Sequence, residues 1–110
     1  MSADGAAEVE RIFRAEATRR MARVDSIVAE GLPPAPSPER IELWRHIHTL
    51  QGTATSLGHE HIARISAALA TRLGIESTPG TREVPEDEIG AVRDEIAMLR
   101  REVAALVRQP

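Results

Sequence analysis

The sequence predicts an all-α fold, an antiparallel up-down-up-down four-helix bundle, from three observations. Four segments carry apolar residues at the three- and four-residue steps of a helix that buries one stripe. Breaks rich in proline or glycine separate those segments. Phe13 and Trp44 are the only aromatic residues, so the core must be built of Leu, Ile, Val, Ala and Met, as aliphatic bundles are, and sheet formers are scarce.

The first helix is expected from about Ala6 to Glu30, with Val9, Ile12, Phe13, Ala17, Met21, Val24 and Val28 on one face. Arg11, Arg14, Arg19, Arg20 and Arg23 alternate with acids and read as a charged helix face. Gly31 and Leu32-Pro33-Pro34-Ala35-Pro36 end the helix. Ser37-Pro38-Glu39 then supplies a side-chain N-cap, a proline at the first helical position and an acid in the first turn. The second helix, Pro38 to Leu57, places Leu43, Ile47, Leu50, Ala54 and Leu57 at steps of four, three, four and three. Gly58 breaks the chain. A third helix from about His59 to Leu73 has Ile62, Ile65, Leu69 and Leu73 as its stripe, with alanines that permit close packing. Gly74 to Val84, containing Pro79 and Gly80, reads as a loop. Pro85 with Glu86, Asp87 and Glu88 suits the start of a last helix, where acids favour the dipole. Its stripe is Ile89, Val92, Ile96, Leu99, Val103 and Leu106. Short connections between four helices favour the antiparallel arrangement, and a core that uses all four stripes predicts a monomer.

Within the second helix, His48 lies about 140° around the axis from the centre of the apolar stripe, so it is expected to face solvent. Trp44, Arg45, Gln51 and Gly52 are its neighbours three and four positions away. Glycine inside a helix costs about 1 kcal/mol relative to alanine, and Gly52 lies far from the apolar stripe. Close approach of a ligand or partner explains it better than helix packing does. Histidine suits phosphoryl chemistry because its neutral imidazole is available near physiological pH and is nucleophilic without a strong base. Trp44, at about 100° from the stripe centre, is expected to serve both the core edge and a docking contact. Ile41 and Thr55, like Arg45, fall on the expected partner-facing platform.

His48-Thr49-Leu50-Gln51-Gly52-Thr53-Ala54, followed by Leu57-Gly58, resembles the motif of histidine-containing phosphotransfer (HPt) domains. That motif is His-x-Leu-Lys-Gly-Ser-Ala, then an apolar residue and glycine. The resemblance is strongest over about Ile41 to Leu73; elsewhere it is one of helical pattern. It implies that His48 accepts phosphate from an aspartyl phosphate or a kinase and exchanges it with the aspartate of a response-regulator receiver domain. Where the family has lysine, this chain has Gln51, and it contains no lysine at all. Charge-assisted hydrogen bonds are roughly twice as strong as neutral ones, so phospho-His48 is expected to be less stabilised. The change also leaves open an HPt-like interaction module that binds a receiver or kinase without being phosphorylated.

Other classes are disfavoured. The 110 residues, 42% of them hydrophobic, make one small domain spanning 1–110. A net charge of −3 with interspersed signs gives no basic field for nucleic acid. There is no cysteine, no signal peptide and no apolar run long enough for a bilayer, so a cytoplasmic protein without membrane contact is expected. His46-x-His48 and His59-x-His61 are spaced wrongly for helical metal pairs, which use three or four; no metal or other cofactor is expected, and His46, His59 and His61 read as surface or helix-end residues. No nucleotide site or phosphate-cradling glycine loop is present, which argues against an enzyme. The start at Met1 favours a free-standing protein over a module of a larger kinase.

Overall fold

In a computed structural model, residues 3–109 are described, and four α-helices account for most of them. The helices are α1 (Ala3–Val28), α2 (Pro38–Leu57), α3 (Glu60–Leu73) and α4 (Glu86–Arg108). No strand occurs among the described residues, only an isolated bridge between Ile75 and Thr78. Each helix packs on the next and α4 returns to α1, which closes the ring of a four-helix bundle. Contacts between α1 and α2 run in opposite chain order: Glu10 reaches His59 just beyond α2, Arg20 reaches His46, and Arg23 reaches Glu42. The α1–α4 pair does the same, with Arg14 donating to the Gln109 carbonyl and Arg100 pairing with Asp25.

The core follows the stripes. Phe13, Ala17, Met21 and Val24 of α1 meet Leu43, Ile47, Leu50 and Ala54 of α2, Ile62, Leu69 and Leu73 of α3, and Val92, Ile96, Leu99, Val103 and Leu106 of α4. Six stripe positions fall short of full burial: Ile12 and Ile89 are exposed, and Val9, Val28, Leu57 and Ile65 are only half-buried. Ile12 and Ile89 lie toward the rims of their stripes, where no neighbouring helix covers them.

The ends of α2 are fixed by local chemistry. Ser37 Oγ accepts the Arg40 N–H at 3.1 Å, with Pro38 in the first turn. At the other end Gly58 adopts φ +80°, and the His59 N–H reaches the Ala54 carbonyl at 2.9 Å. That left-handed cap turns the chain into α3 within two residues. His59 caps α3 and Pro85 caps α4, so both helices begin one residue later than expected. Helix α1 is shifted toward the N-terminus, ending at Val28 instead of Glu30.

The α3–α4 connection is tied to the start of α2. Arg40, 4% exposed, donates from Nε to the Pro33 carbonyl and from Nη1 to the Arg82 carbonyl, both at 2.9 Å. Its burial pulls the guanidinium below the usual arginine range, a cost offset by those two carbonyls. Gly80, at φ +67°, lies against the α2 backbone so closely that a Cβ there would sit 2.8 Å from the Ile41 Cα. These contacts hold the loop beside α2.

Candidate functional site

His48 projects from the middle of α2, and its side chain keeps 35% exposure. The ring is stacked on Trp44, one turn earlier, with centroids 4.5 Å apart and planes 13° off parallel. Its Nε2 lies 3.0 Å from Oε1 of Glu76. The imidazole is therefore half-covered, held on one face by an indole and at the outer nitrogen by a carboxylate, instead of standing free in solvent as the helix projection suggested.

Trp44 corrects the expectation more strongly. It is 5% exposed and belongs to the core cluster, so its indole offers no docking surface of its own. A direction about 100° from the stripe centre left both outcomes open; the His48 ring stacked on it decides for burial. Its influence on any event at His48 acts through that stacking.

Gly52 is exposed, and nothing lies within 4 Å of where its Cβ would be. No helix of this bundle uses its lack of a side chain. The space instead opens onto a groove between α1 and α2, about 560 Å³ in volume, lined by Val9, Ile12, Phe13 and Glu16 on one side and by His48, Gly52, Thr53 and Leu57 on the other. Exposed Ile12 thus borders the same groove as the imidazole.

The remaining platform residues are arranged unevenly. Gln51 is half-buried, one turn beyond His48. Arg45 is exposed and has no ion-pair partner among the described residues. Thr55 is exposed, but its hydroxyl donates back to the Gln51 carbonyl at 2.8 Å, which leaves it a secondary member two turns from His48. Ile41 is half-buried with its backbone pressed by Gly80, so it forms the floor beneath the loop more than an exposed patch.

The other histidines are committed elsewhere. His46 is half-buried, with Nδ1 3.1 Å from Arg20 and Nε2 3.2 Å from Glu42. Arg23 and, to a smaller degree, His46 hold the Glu42 carboxyl down at about 2. His59 caps α3, the helix-end position expected, and its ring stacks on Phe13 with centroids 4.8 Å apart. His61 is exposed, as its helix-end position suggested. Among the described residues, no three His, Asp or Glu side chains converge as metal ligands.

Glu76 was not singled out by the sequence. It lies 28 residues from His48, on a turn closed by the Thr78 N–H to the Ile75 carbonyl at 3.0 Å. No spacing rule connects a loop carboxylate to a mid-helix imidazole. The two glycines and the prolines of that loop marked a turn, but only the anchoring by Arg40 and Gly80 brings it to α2.

The described chain is thus a four-helix bundle with a half-exposed histidine beside an uncovered glycine on one helix. The family model of the Hpt domain matches residues 8–102, and the chain belongs to that family. No curated protein and no solved structure gives a significant match. Hpt domains are phosphotransfer-related domains of two-component systems, where they act as carriers and interact with response regulators or kinases. Among the described residues no helix is long and apolar enough to cross a membrane.

Proposed function

We propose that this protein is a phosphorelay intermediate whose phosphoacceptor is His48. The observation that carries the reading is a half-exposed imidazole one turn from Gly52, where the helix surface is bare and the adjoining groove is open. Neutral His48 attacks the phosphorus of an aspartyl phosphate with the lone pair of one ring nitrogen, while the other nitrogen keeps its proton. An N–P bond forms, the P–O bond breaks, and the electron pair leaves on the aspartate carboxylate. The phosphoimidazolium then releases its remaining ring proton to solvent. Reversal returns the phosphoryl group to a receiver.

Phosphoryl transfer requires alignment and charge stabilisation. A rigid helix and the Trp44 stack serve alignment, because they restrict the ring's rotation. Gln51 donates an amide hydrogen bond to a phosphoryl oxygen, and Arg45 offers an unpaired cation nearby. Gly52 admits the partner's active site. The carrier has no catalytic cycle of its own, resides in the cytoplasm, works as a single 1–110 domain and a monomer, and meets either a receiver or a histidine kinase. The charge stabilisation that Gln51 lacks is assigned to the partner.

A second reading has its own support. Gln51 is neutral, and Glu76 already occupies the outer nitrogen of His48. A module that binds a receiver without accepting phosphate would have these features.

Incubation with a panel of phosphorylated receiver domains, beside His48→Ala, separates the two. Acid-labile, base-stable label on the wild type alone is the expected result. Absence of label from every donor, with the fold intact and receiver binding retained, would establish the binding-only module.

A further inference from the structure

We propose that Glu76 is a positioning residue that acts as a latch on His48: its carboxylate holds the Nε2–H and keeps that nitrogen's lone pair out of reaction until the α3–α4 loop lets go. The inference deepens the phosphotransfer reading by assigning a restraint to the same imidazole, and its test is independent of any phosphate donor.

The geometry has three parts. Glu76 Oε1 is 3.0 Å from His48 Nε2, the ring nitrogen farther from the backbone and the one a partner meets first. A carboxylate accepts hydrogen bonds and cannot donate one when ionised. The contact therefore requires a proton on Nε2, and a nitrogen bearing that proton has no lone pair to give. Either protonation state that satisfies Glu76, the neutral Nε2–H tautomer or the imidazolium, is unreactive at Nε2.

The carboxylate is also mounted so that it can move. Glu76 is 80% exposed and follows Ile75 in the tight turn closed by Thr78. The turn itself stands between two fixed points. On one side the Gly74 N–H caps α3 through the Ala70 carbonyl at 3.1 Å. On the other, Gly80 is pressed on the Ile41 backbone and the Arg82 carbonyl is held by Arg40. The anchors set where the turn lies, while the Glu76 side chain at its tip pairs with His48 alone among the described residues.

Phosphorylation at Nε2 removes the proton that Glu76 needs and puts a doubly negative group where its carboxylate stands. Like-charge repulsion next to an acid drives such groups apart. The Glu76 side chain must leave, so the surface beside His48 differs between its two states and offers a partner a way to tell them apart.

The test uses diethyl pyrocarbonate, which acylates an imidazole nitrogen that carries a lone pair. Modification at His48 is followed by peptide mass spectrometry, with exposed His61 as the internal reference. Wild type, Glu76→Gln and Glu76→Ala are compared, all three checked for the same melting behaviour. An exposed ion pair has a modest effect, so Glu76→Ala is expected to acylate about two- to fivefold faster at His48. His61 should be unchanged. Glu76→Gln, which can accept the hydrogen bond without the charge, should fall between. In the ¹⁵N spectrum the His48 Nε2 resonance of Glu76→Ala should move toward the position of a nitrogen with a free lone pair, which a merely structural role for the loop would not produce. Equal or slower acylation of His48 in Glu76→Ala would overturn the latch. Phospho-receiver labelling on the same three proteins keeps the two ideas apart: label with unchanged acylation removes the latch alone, and faster acylation without label from any donor removes phosphotransfer alone.

Discussion

His46 and His48 stand two residues apart on the same helix and meet opposite fates. The His46 ring has both nitrogens engaged, Nδ1 with Arg20 and Nε2 with Glu42, in a half-buried network that also binds Arg23. His48 is turned by about 200° to the other side of α2, stacked on Trp44 and contacted at one nitrogen by an exposed loop carboxylate. The first histidine cements α1 to α2. The second is positioned but not consumed. Chemical availability here depends less on exposure than on how many partners must be displaced and how firmly each is held: His46 has 21% side-chain exposure and His48 35%, a small difference beside the difference in partners.

The largest effect separates those two residues. His48→Gln is expected to abolish phosphoryl labelling at only a modest cost in stability, since it gives up the stack on Trp44 and a contact with an exposed acid. His46→Gln should leave labelling in place and lower the stability of the α1–α2 contact. Parallel labelling and thermal melts check both halves, and label surviving in His48→Gln would remove the assignment.

Next in size is Gly52. No atom lies near the place of its Cβ, and alanine is favoured over glycine in a helix by about 1 kcal/mol. Gly52→Ala should therefore stabilise the isolated protein, by up to that amount. Gly52→Leu, whose side chain would intrude on the groove beside His48, is expected to slow transfer to a receiver by about tenfold or more, as misplacement of reacting groups does. A denaturant titration beside a transfer assay reads the two effects. Unimpaired transfer in Gly52→Leu would make the glycine irrelevant to docking.

Much of this fold was legible because bundle helices advertise themselves through one local variable, the period of their apolar residues. Leu43, Ile47, Leu50 and Ala54 are all buried as their spacing requires. The caps were legible too, since Ser37 and Gly58 act on neighbours a few residues away. Trp44 was not settled by the same reasoning. A helix projection gives a direction, but whether that direction meets core or solvent depends on what packs against it. Glu76 was wholly hidden, because the position of its loop is fixed by Arg40 and Gly80, contacts that join distant parts of the chain and leave no periodic trace. Residues that His48 meets along its own helix could be read; the one that arrives from a loop could not.

A smaller effect is expected at Gln51. Replacing it by lysine puts a charge one turn from His48, where a phosphoryl oxygen would lie. Charge-assisted hydrogen bonds are about twice as strong as neutral ones, but this position remains half in solvent. Gln51→Lys should lengthen the life of phospho-His48 and raise labelling about two- to fivefold, the range of exposed charge pairs. If neither form accepts label, His48 is a binding residue and the comparison with His46 becomes one between two structural histidines.

The smallest effect lies on the His46 side and sharpens what a committed network contributes. Glu42 is held down at about 2, first by the Arg23 hydrogen bond and then, beyond a desolvation cost, by His46. Its ordinary value is 4.5, so the folded state binds the carboxylate form more strongly than the unfolded chain does. The sign follows from linkage: the stabilisation is fully present above 4.5 and is lost as pH falls through about 2. Because the Glu42 side chain is 37% exposed, screening reduces the contribution to about 1 kcal/mol or less. Glu42→Gln should therefore lower the urea midpoint modestly at pH 7, and the difference from wild type should shrink steadily between pH 4.5 and 2. An undiminished difference at pH 2 would mean that packing, not the Arg23–Glu42–His46 charges, joins α1 to α2 there.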